Sequence, residues 1–194
     1  MWYYSTSEFD SQYLLCYYIS IMSAFHLAGP SGSGKSTVGS VLQAQGFRVI
    51  ETDFEQGLSG WFDNATGLGA TENPPQPYTK EWVTSHSWLW NQAIMNTLLS
   101  TVGTDPVFFC GGAYNEKAFY GAFKNRFGLY VDNSTLIERL QQREPERWVE
   151  GSAELERVIV WNEKFKAYCI ATGAVVIDSS LSPNMVANAI LQHI

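Results

Sequence analysis

Residues 29–37 read GPSGSGKST, and the rest of the chain falls into order around that run. It fits the pattern G-x-x-x-x-G-K-[ST], with Gly29, Gly34, Lys35 and Ser36 at the fixed places. Glycines at 29, 32 and 34 free the backbone to curl into a nest whose N–H groups converge on phosphate oxygens. That nest takes in Gly29, Pro30, Ser31, Gly32, Ser33, Gly34, Lys35, Ser36 and Thr37. Lys35 can set a point charge against the β- and γ-phosphates, and the Ser36 hydroxyl can ligate Mg²⁺. Thr37 falls in the first helical turn, where the positive end of the helix dipole meets the same anion.

The flanks agree with the motif. Ala24 to Ala28 is a short apolar run suited to a buried strand. Ser36 to Gln45 predicts a helix with Val38, Val41 and Leu42 on one face, closed by Gly46. Strand, glycine loop and helix in that order imply a nucleoside triphosphate site rather than an ordinary glycine turn.

With 194 residues, 45% of them hydrophobic, the chain is long enough to bury one full core. A net charge of −7 argues against a nucleic-acid surface, which carries a basic stripe, and against docking on an anionic membrane. Cys16, Cys110 and Cys169 are widely spaced and odd in number, which suggests buried reduced thiols in a cytoplasmic protein rather than disulfides or a zinc site. Residues 1–21 are tyrosine-rich and carry no Lys or Arg, so they match neither a secretory leader nor a membrane span. They read as an extension before a natural start at Met22, with an added helix, edge strand or dimer contact as the competing reading.

Further strands are expected at Phe47–Ile50, Val107–Gly111, Phe127–Val131 and Ala174–Ile177. Residues 54–78, rich in glycine and proline, predict loops with a hairpin near Asp63-Asn64. Thr79 to Val102 predicts one long helix stopped by Gly103, and Asn115 to Lys124 a short one. Thr135 to Glu138 suggests a capping box opening a helix that Pro145 breaks. Ala153 to Thr172 predicts a helix with Leu155, Val158, Ile159, Phe165 and Cys169 inward, and Pro183 opens the last one. Alternating strands and helices imply an α/β fold of three layers, a parallel sheet with helices on both faces. Ligands then lie beyond the carboxyl ends of the strands.

That rule selects the remaining candidates. Asp53 directly follows the second strand and can hold a Mg²⁺-bound water or accept a proton from a substrate hydroxyl; its bland reading is a helix cap with Gln56. Glu51 is a weaker second. The third strand ends at Cys110 without the acidic metal partner of motor and switch ATPases. Gly111 and Gly112 form a turn, and Asn115 beyond them can bind substrate or cap a helix. Arg143 and Arg147 can place a cation over a transferring phosphoryl group, against the alternative of surface pairs with nearby glutamates. Trp61 and Trp88 can line an acceptor pocket, Trp82 reads as core, and His86 as a packed helix residue. From Val49 to Glu116 the only Lys or Arg is Lys80, against eight acidic residues, which favours a neutral or cationic hydroxyl acceptor over an anionic one.

With these residues in view, the chain resembles the small P-loop kinases, which include the adenylate, shikimate and gluconate kinases. It is closer still to a group usually labelled AAA-family ATPase or nucleoside/nucleotide kinase. The matching stretches are residues 29–37, ETD (51–53), GWFDNATG (60–67), HSWLWN (86–91), FFCGGAYNEKAFYGAF (108–123) and VVIDSS (175–180). The resemblance implies five parallel strands in the order 2-3-1-4-5 and a single kinase domain over residues 22–194. It also implies a substrate-binding insert at about 54–102, a lid at about 143–152, and adenine packed against Asp178, Ser179 and Ser180. Shikimate kinases carry a third glycine where this chain has Ala113. The expected activity is transfer of the γ-phosphoryl of ATP, with Mg²⁺, to a small hydroxyl acceptor, nucleosides and nucleotides included, by a monomer or homodimer. The alternative is a nucleotide-sensing ATPase module; no guanine-specific N-K-x-D or D-x-x-G motif occurs.

Overall fold

The computed structural model describes residues 23–75 and 78–194, so the expectations for residues 1–21, Met22 and Cys16 lie outside the described residues. Five strands form one parallel sheet: β1 (Ala24–Ala28), β2 (Arg48–Glu51), β5 (Val107–Cys110), β6 (Asn125–Tyr130) and β7 (Val175–Asp178). They lie side by side as β2-β5-β1-β6-β7, which is 2-3-1-4-5 when only these strands are counted. Two further strands, β3 (Ser59–Asp63) and β4 (His86–Trp90), make a separate antiparallel hairpin inside the insert.

Side-chain alternation along the central strands builds a core on each face of the sheet. On one face Phe25, Leu27, Phe108, Phe127 and Leu129 meet Val38 and Leu42 of α1 (Lys35–Ala44) and Val186 and Ile190 of the C-terminal helix (Pro183–Leu191). On the other, Ala24, Ile50, Val107 and Phe109 meet Met95 and Leu99 of a helix spanning Gln92–Ser100, together with Phe119 and Phe123. Burying each such aliphatic or aromatic side chain contributes about 1.5–3 kcal/mol, which offsets the ordering of short strands.

The expected long helix over Thr79–Val102 does not form. The segment divides into α2 (Lys80–Ser85), β4 and α3 (Gln92–Ser100). Two local forces make the division. His86-Ser-Trp-Leu-Trp90 places a ring at every second position, and it pairs residue for residue with β3, Trp61 opposite Trp88 and Phe62 opposite Ser87. Asn91 then opens α3, its side-chain oxygen accepting from Ala93 N at 3.0 Å and Ile94 N at 3.2 Å. His86 is therefore a strand residue, stacked on Trp82 with ring centres 3.8 Å apart. Near Asp63-Asn64 the chain turns as expected, with Gly67 N on Asp63 O and a bridge from Phe62 to Gly69.

Two helix starts also differ. The segment after β5 is a 3-10 helix over Glu116–Ala122 rather than an α-helix. The next helix, α4 (Asn133–Arg143), begins three residues early because the Asp132 carboxylate caps it, accepting from Thr135 N at 2.9 Å, so the expected box at Thr135–Glu138 lies inside the first turns. Asp132, near the ligand-binding edge, thus serves the helix; these hydrogen bonds hold its carboxyl far below the usual range. The long helix α5 (Ala153–Ala171) buries Leu155, Val158, Phe165 and Cys169 as expected, and Glu154 and Asn162 besides. The C-terminal helix is α6.

Candidate active site

The phosphate end is made of backbone. Between β1 and α1 the chain takes φ of +84° at Gly32 and +93° at Gly34, a left-handed conformation costly for any residue with a Cβ. A Cβ at Gly32 would also stand 2.9 Å from Leu140 Cγ, because the loop lies directly on α4. Gly34 is the N-cap of α1, with no side-chain cap and no acidic residue in the first turn. The first N–H groups and the positive end of the helix dipole are therefore left for an anion. Ser33 Oγ is buried and has no protein partner.

Lys35 lies back over the loop, its ammonium donating to Gly29 O at 2.7 Å and Pro30 O at 2.9 Å. Burial pushes its pKa down, while the carboxylates of Asp53 and Glu51 push it up. Ser36 Oγ donates to Glu51 Oε2 at 3.1 Å, and burial raises the Glu51 pKa. An exposed hydroxyl beside a half-buried carboxylate is an oxygen pair suited to a hard divalent cation. The glycine cradle, the orphaned Ser33 hydroxyl and this pair fit a nucleoside triphosphate with its metal. Glu51, ranked below Asp53 from sequence, is the carboxylate in contact with Ser36; its place at the end of a strand gave no sign of that contact. Among the described residues no group of three or more His, Cys, Asp or Glu side chains gathers to hold a metal by itself.

Asp53 stands on the turn after β2. It does not cap a helix with Gln56; Phe54 N and Glu55 N bond to Glu51 O instead. Its Oδ1 accepts from Trp88 Nε1 at 3.3 Å, which joins it to the insert. Across from it lies the glycine turn. Gly111 has φ +143°, its carbonyl accepts from His26 Nε2 at 2.9 Å, and a Cβ there would run into the Thr52 hydroxyl. Burial lowers the His26 pKa, so the ring stays neutral between Phe123 and Trp90. Asn115 neither caps the 3-10 helix nor leaves its amide free: its Oδ1 accepts from Trp90 N and its Nδ2 donates to Trp90 O, both at 2.9 Å.

The arginines separate. Arg143 is exposed, 3.2 Å from Glu144, and near enough to Lys35 to lower its pKa. Arg147 bonds Glu154 Oε1 at 2.6 Å and Glu144 Oε2 at 3.2 Å, with its guanidinium over Tyr78 and Trp148. Trp148 is buried against Leu136, Leu140 and Leu155, so the 143–152 segment is pinned to α4 and α5. Arg139 reads from the sequence as lying one helical turn before Arg143, on the side away from Leu136 and Leu140, but the phosphate role is expected of Arg143 or Arg147. Arg139 donates to Ser179 O at 2.9 Å, and its guanidinium is 3.6 Å from where a Cβ on Gly34 would be. It is thus anchored on Asp178–Ser180 and lies beside the glycine loop; in that segment Asp178 Oδ1 accepts from Ser180 N and Oγ and Ser179 N bonds Tyr130 O.

Beside Asp53 the insert presents aromatic rings. Trp61 meets Tyr78, Trp82 and Trp88 edge to face, with ring centres 5.4, 6.3 and 5.6 Å apart. Trp82 is buried, as expected of a core residue, and Trp61 and Trp88 are half-buried. An open hollow of about 330 Å³ runs along β3 from Gly57 to Pro74, and no residue of the glycine loop lines it.

A parallel 2-3-1-4-5 sheet with this glycine loop at its carboxyl edge defines a nucleotide-binding fold of the P-loop class. The chain belongs to the AAA domain family, which it matches over residues 26–159. No curated protein matches its sequence. Its fold is that of the small P-loop kinases. It is similar to a gluconokinase from Sinorhizobium meliloti 1021 (20% identity, 87% of this chain and 89% of that one, TM-score 0.50). It is also similar to a shikimate kinase from Acinetobacter baumannii in complex with shikimate (19% identity, 88% and 92%, TM-score 0.53). A deoxyadenosine kinase from M. mycoides with bound dATP matches at 14% identity over 88% and 98% of the two chains, TM-score 0.55. Among the described residues no helix is long and apolar enough to cross a membrane.

Proposed function

We propose that this chain is a phosphotransferase, moving the γ-phosphoryl of ATP to a hydroxyl of a small acceptor held between the β3–β4 hairpin and the Gly111–Gly112 turn. One observation carries the reading. Asp53 acts electrostatically on Lys35 on one side and accepts a hydrogen bond from Trp88 on the other, so a carboxylate joins the phosphate end to the insert. The similar structures are a gluconokinase, a shikimate kinase and a deoxyadenosine kinase, names that point to small molecules carrying hydroxyls.

In this reading the amides of Pro30 to Thr37 and the Lys35 ammonium hold the phosphate tail, and Arg139 and Arg143 face it from α4. Ser36 and Glu51, with Asp53 through a water, would hold Mg²⁺, which would supply positive charge to the phosphate tail. Asp53 takes the acceptor's hydroxyl proton as the acceptor oxygen–phosphorus bond forms and the bond to the β,γ-bridging oxygen breaks, leaving ADP. Trp61, Trp88, Gly111, Gly112 and Asn115 frame the acceptor, and the Asp178–Ser180 loop takes the adenine. Arg147 joins the transferring group only by leaving Glu154. The acidic balance of the chain supports an enzyme that acts on neither nucleic acid nor membranes.

ATP consumption measured with and without a panel of nucleosides, nucleoside monophosphates, sugars and hydroxy acids tests this. Stimulation by one acceptor class is expected, and Asp53→Asn should cut that turnover by about 10²-fold or more while ATP affinity stays near normal. A flat response across the panel would favour the nucleotide-sensing alternative.

A further inference from the structure

Arg157 lies in the second turn of α5, outside every motif that marked the site. Its guanidinium carbon is 6.0 Å from the centre of the Trp61 ring. Its Nε is closed off from water and has no hydrogen-bond partner. Among the described residues it makes no ion pair, whereas Arg147 is held by both Glu154 and Glu144. Of the five guanidinium donors, the Nε–H is the one closed off without an acceptor, and a dry donor on a charged group is a costly arrangement. Its contact with Trp61, at the outer limit for a cation over a ring, answers little of that cost. Such an unpartnered donor leaves room for an acceptor atom from outside the chain.

The surroundings say which ligand. Trp61 touches Trp88, and Trp88 Nε1 donates to Asp53. One aromatic wall therefore runs from the carboxylate at the phosphate end to the guanidinium at the far end. Glu144 Oε2 and Glu154 Oε1 are held by Arg147, while Glu154 Oε2, on the turn of α5 before Arg157, is buried without a partner. The scarcity of basic residues between Val49 and Glu116 spoke for an uncharged acceptor, but the missing cation arrives from α5, outside that window.

We propose that Arg157, with Trp61 and Trp88, forms the end of the acceptor site that receives an anionic group, a carboxylate or a phosphate, of an acceptor whose hydroxyl reaches Asp53. This rests on the kinase reading above and names its substrate class. Arg157 presents a planar fork of donors to two oxygens, and the rings cover the body between the anion and the hydroxyl.

The full chain, with a non-hydrolysable ATP analogue and Mg²⁺ filling the donor site, is titrated with AMP against adenosine and with gluconate against glucose. Tryptophan emission or calorimetry reads the binding. One anion should bind at least about tenfold tighter than its neutral counterpart. The AMP arm reports a phosphate and the gluconate arm a carboxylate. Arg157→Gln should erase that preference, and Arg157→Lys should restore part of it, keeping the charge without the fork. Equal binding within both pairs, no binding of any of the four probes, or a preference that survives Arg157→Gln would overturn the proposal. If the glutamine variant does not fold, the wild-type ratio and the lysine variant decide. Anion binding retained without phosphoryl transfer would break the kinase reading and leave the Arg157 subsite standing. Transfer to neutral acceptors alone would do the reverse.

Discussion

Between Gly29 and Thr37 the site is backbone, shaped by glycines whose torsion angles no other residue adopts cheaply. In the proposed acceptor end, between Asp53 and Arg157, it is side chains, drawn from the turn after β2, the β3–β4 hairpin, the turn after β5 and the second turn of α5. The first kind of site is contiguous in sequence; the second exists only after the sheet has closed. That contrast explains why one end stands out in nine consecutive letters while the other is scattered over about a hundred.

The segment that joins the two ends offers the hardest test. If residues 143–152 are a packed strut rather than a loose flap, Trp148→Ala should cost about 3–5 kcal/mol of stability in denaturant unfolding. A change under about 1 kcal/mol would mean that the segment already lies open. At the phosphate end, Lys35→Ala should lower turnover about 10²–10³-fold, since it removes a preorganised charge from the transferring group. Gly32→Ala separates shape from charge. It leaves every charged group in place yet forces a left-handed alanine against Leu140, so it should cost about 1–2 kcal/mol and weaken ATP binding. Undiminished affinity in that variant would show that the cradle tolerates a Cβ.

Glu51 sharpens the contrast through pH. Burial raises its pKa in the folded chain, so the stability it contributes is present below its unfolded pKa and is lost as pH rises through the folded one. Metal binding runs the other way, because the ionised carboxylate is the ligand. The gain in ATP affinity on adding Mg²⁺ should therefore grow with pH through a range above that of an ordinary glutamate. Glu51→Gln should flatten this dependence. The smallest effect concerns the two described cysteines. Burial holds the Cys110 thiol far above its usual pKa and pushes Cys169 up to about 12. Mass spectrometry should find both unmodified after iodoacetamide treatment of the native protein, and alkylated once it is unfolded.

The sheet was legible because buried parallel strands are short apolar runs, and all five were found within about two residues of their ends. The helix expected over Thr79–Val102 failed for a non-local reason. Trp82, His86 and Leu89 do recur at helical spacing, but His86–Trp90 gains more by pairing with Ser59–Asp63, a partner across a long loop. Glu51 and Arg139 were hidden for the same reason, since their contacts, Ser36 and Ser179, come from other elements. Arg157 was hidden most thoroughly: on its own helix it is one more charged residue near a polar face.

Asn115 has a consequence for how such a protein diversifies. Its side chain grips both main-chain groups of Trp90, so the hairpin and the glycine turn are riveted into one plate. A hairpin transplanted into this chain from another kinase would sit askew unless its donor also supplied the amide at that position. Exchange of specificity between relatives should therefore proceed by swapping the two segments together.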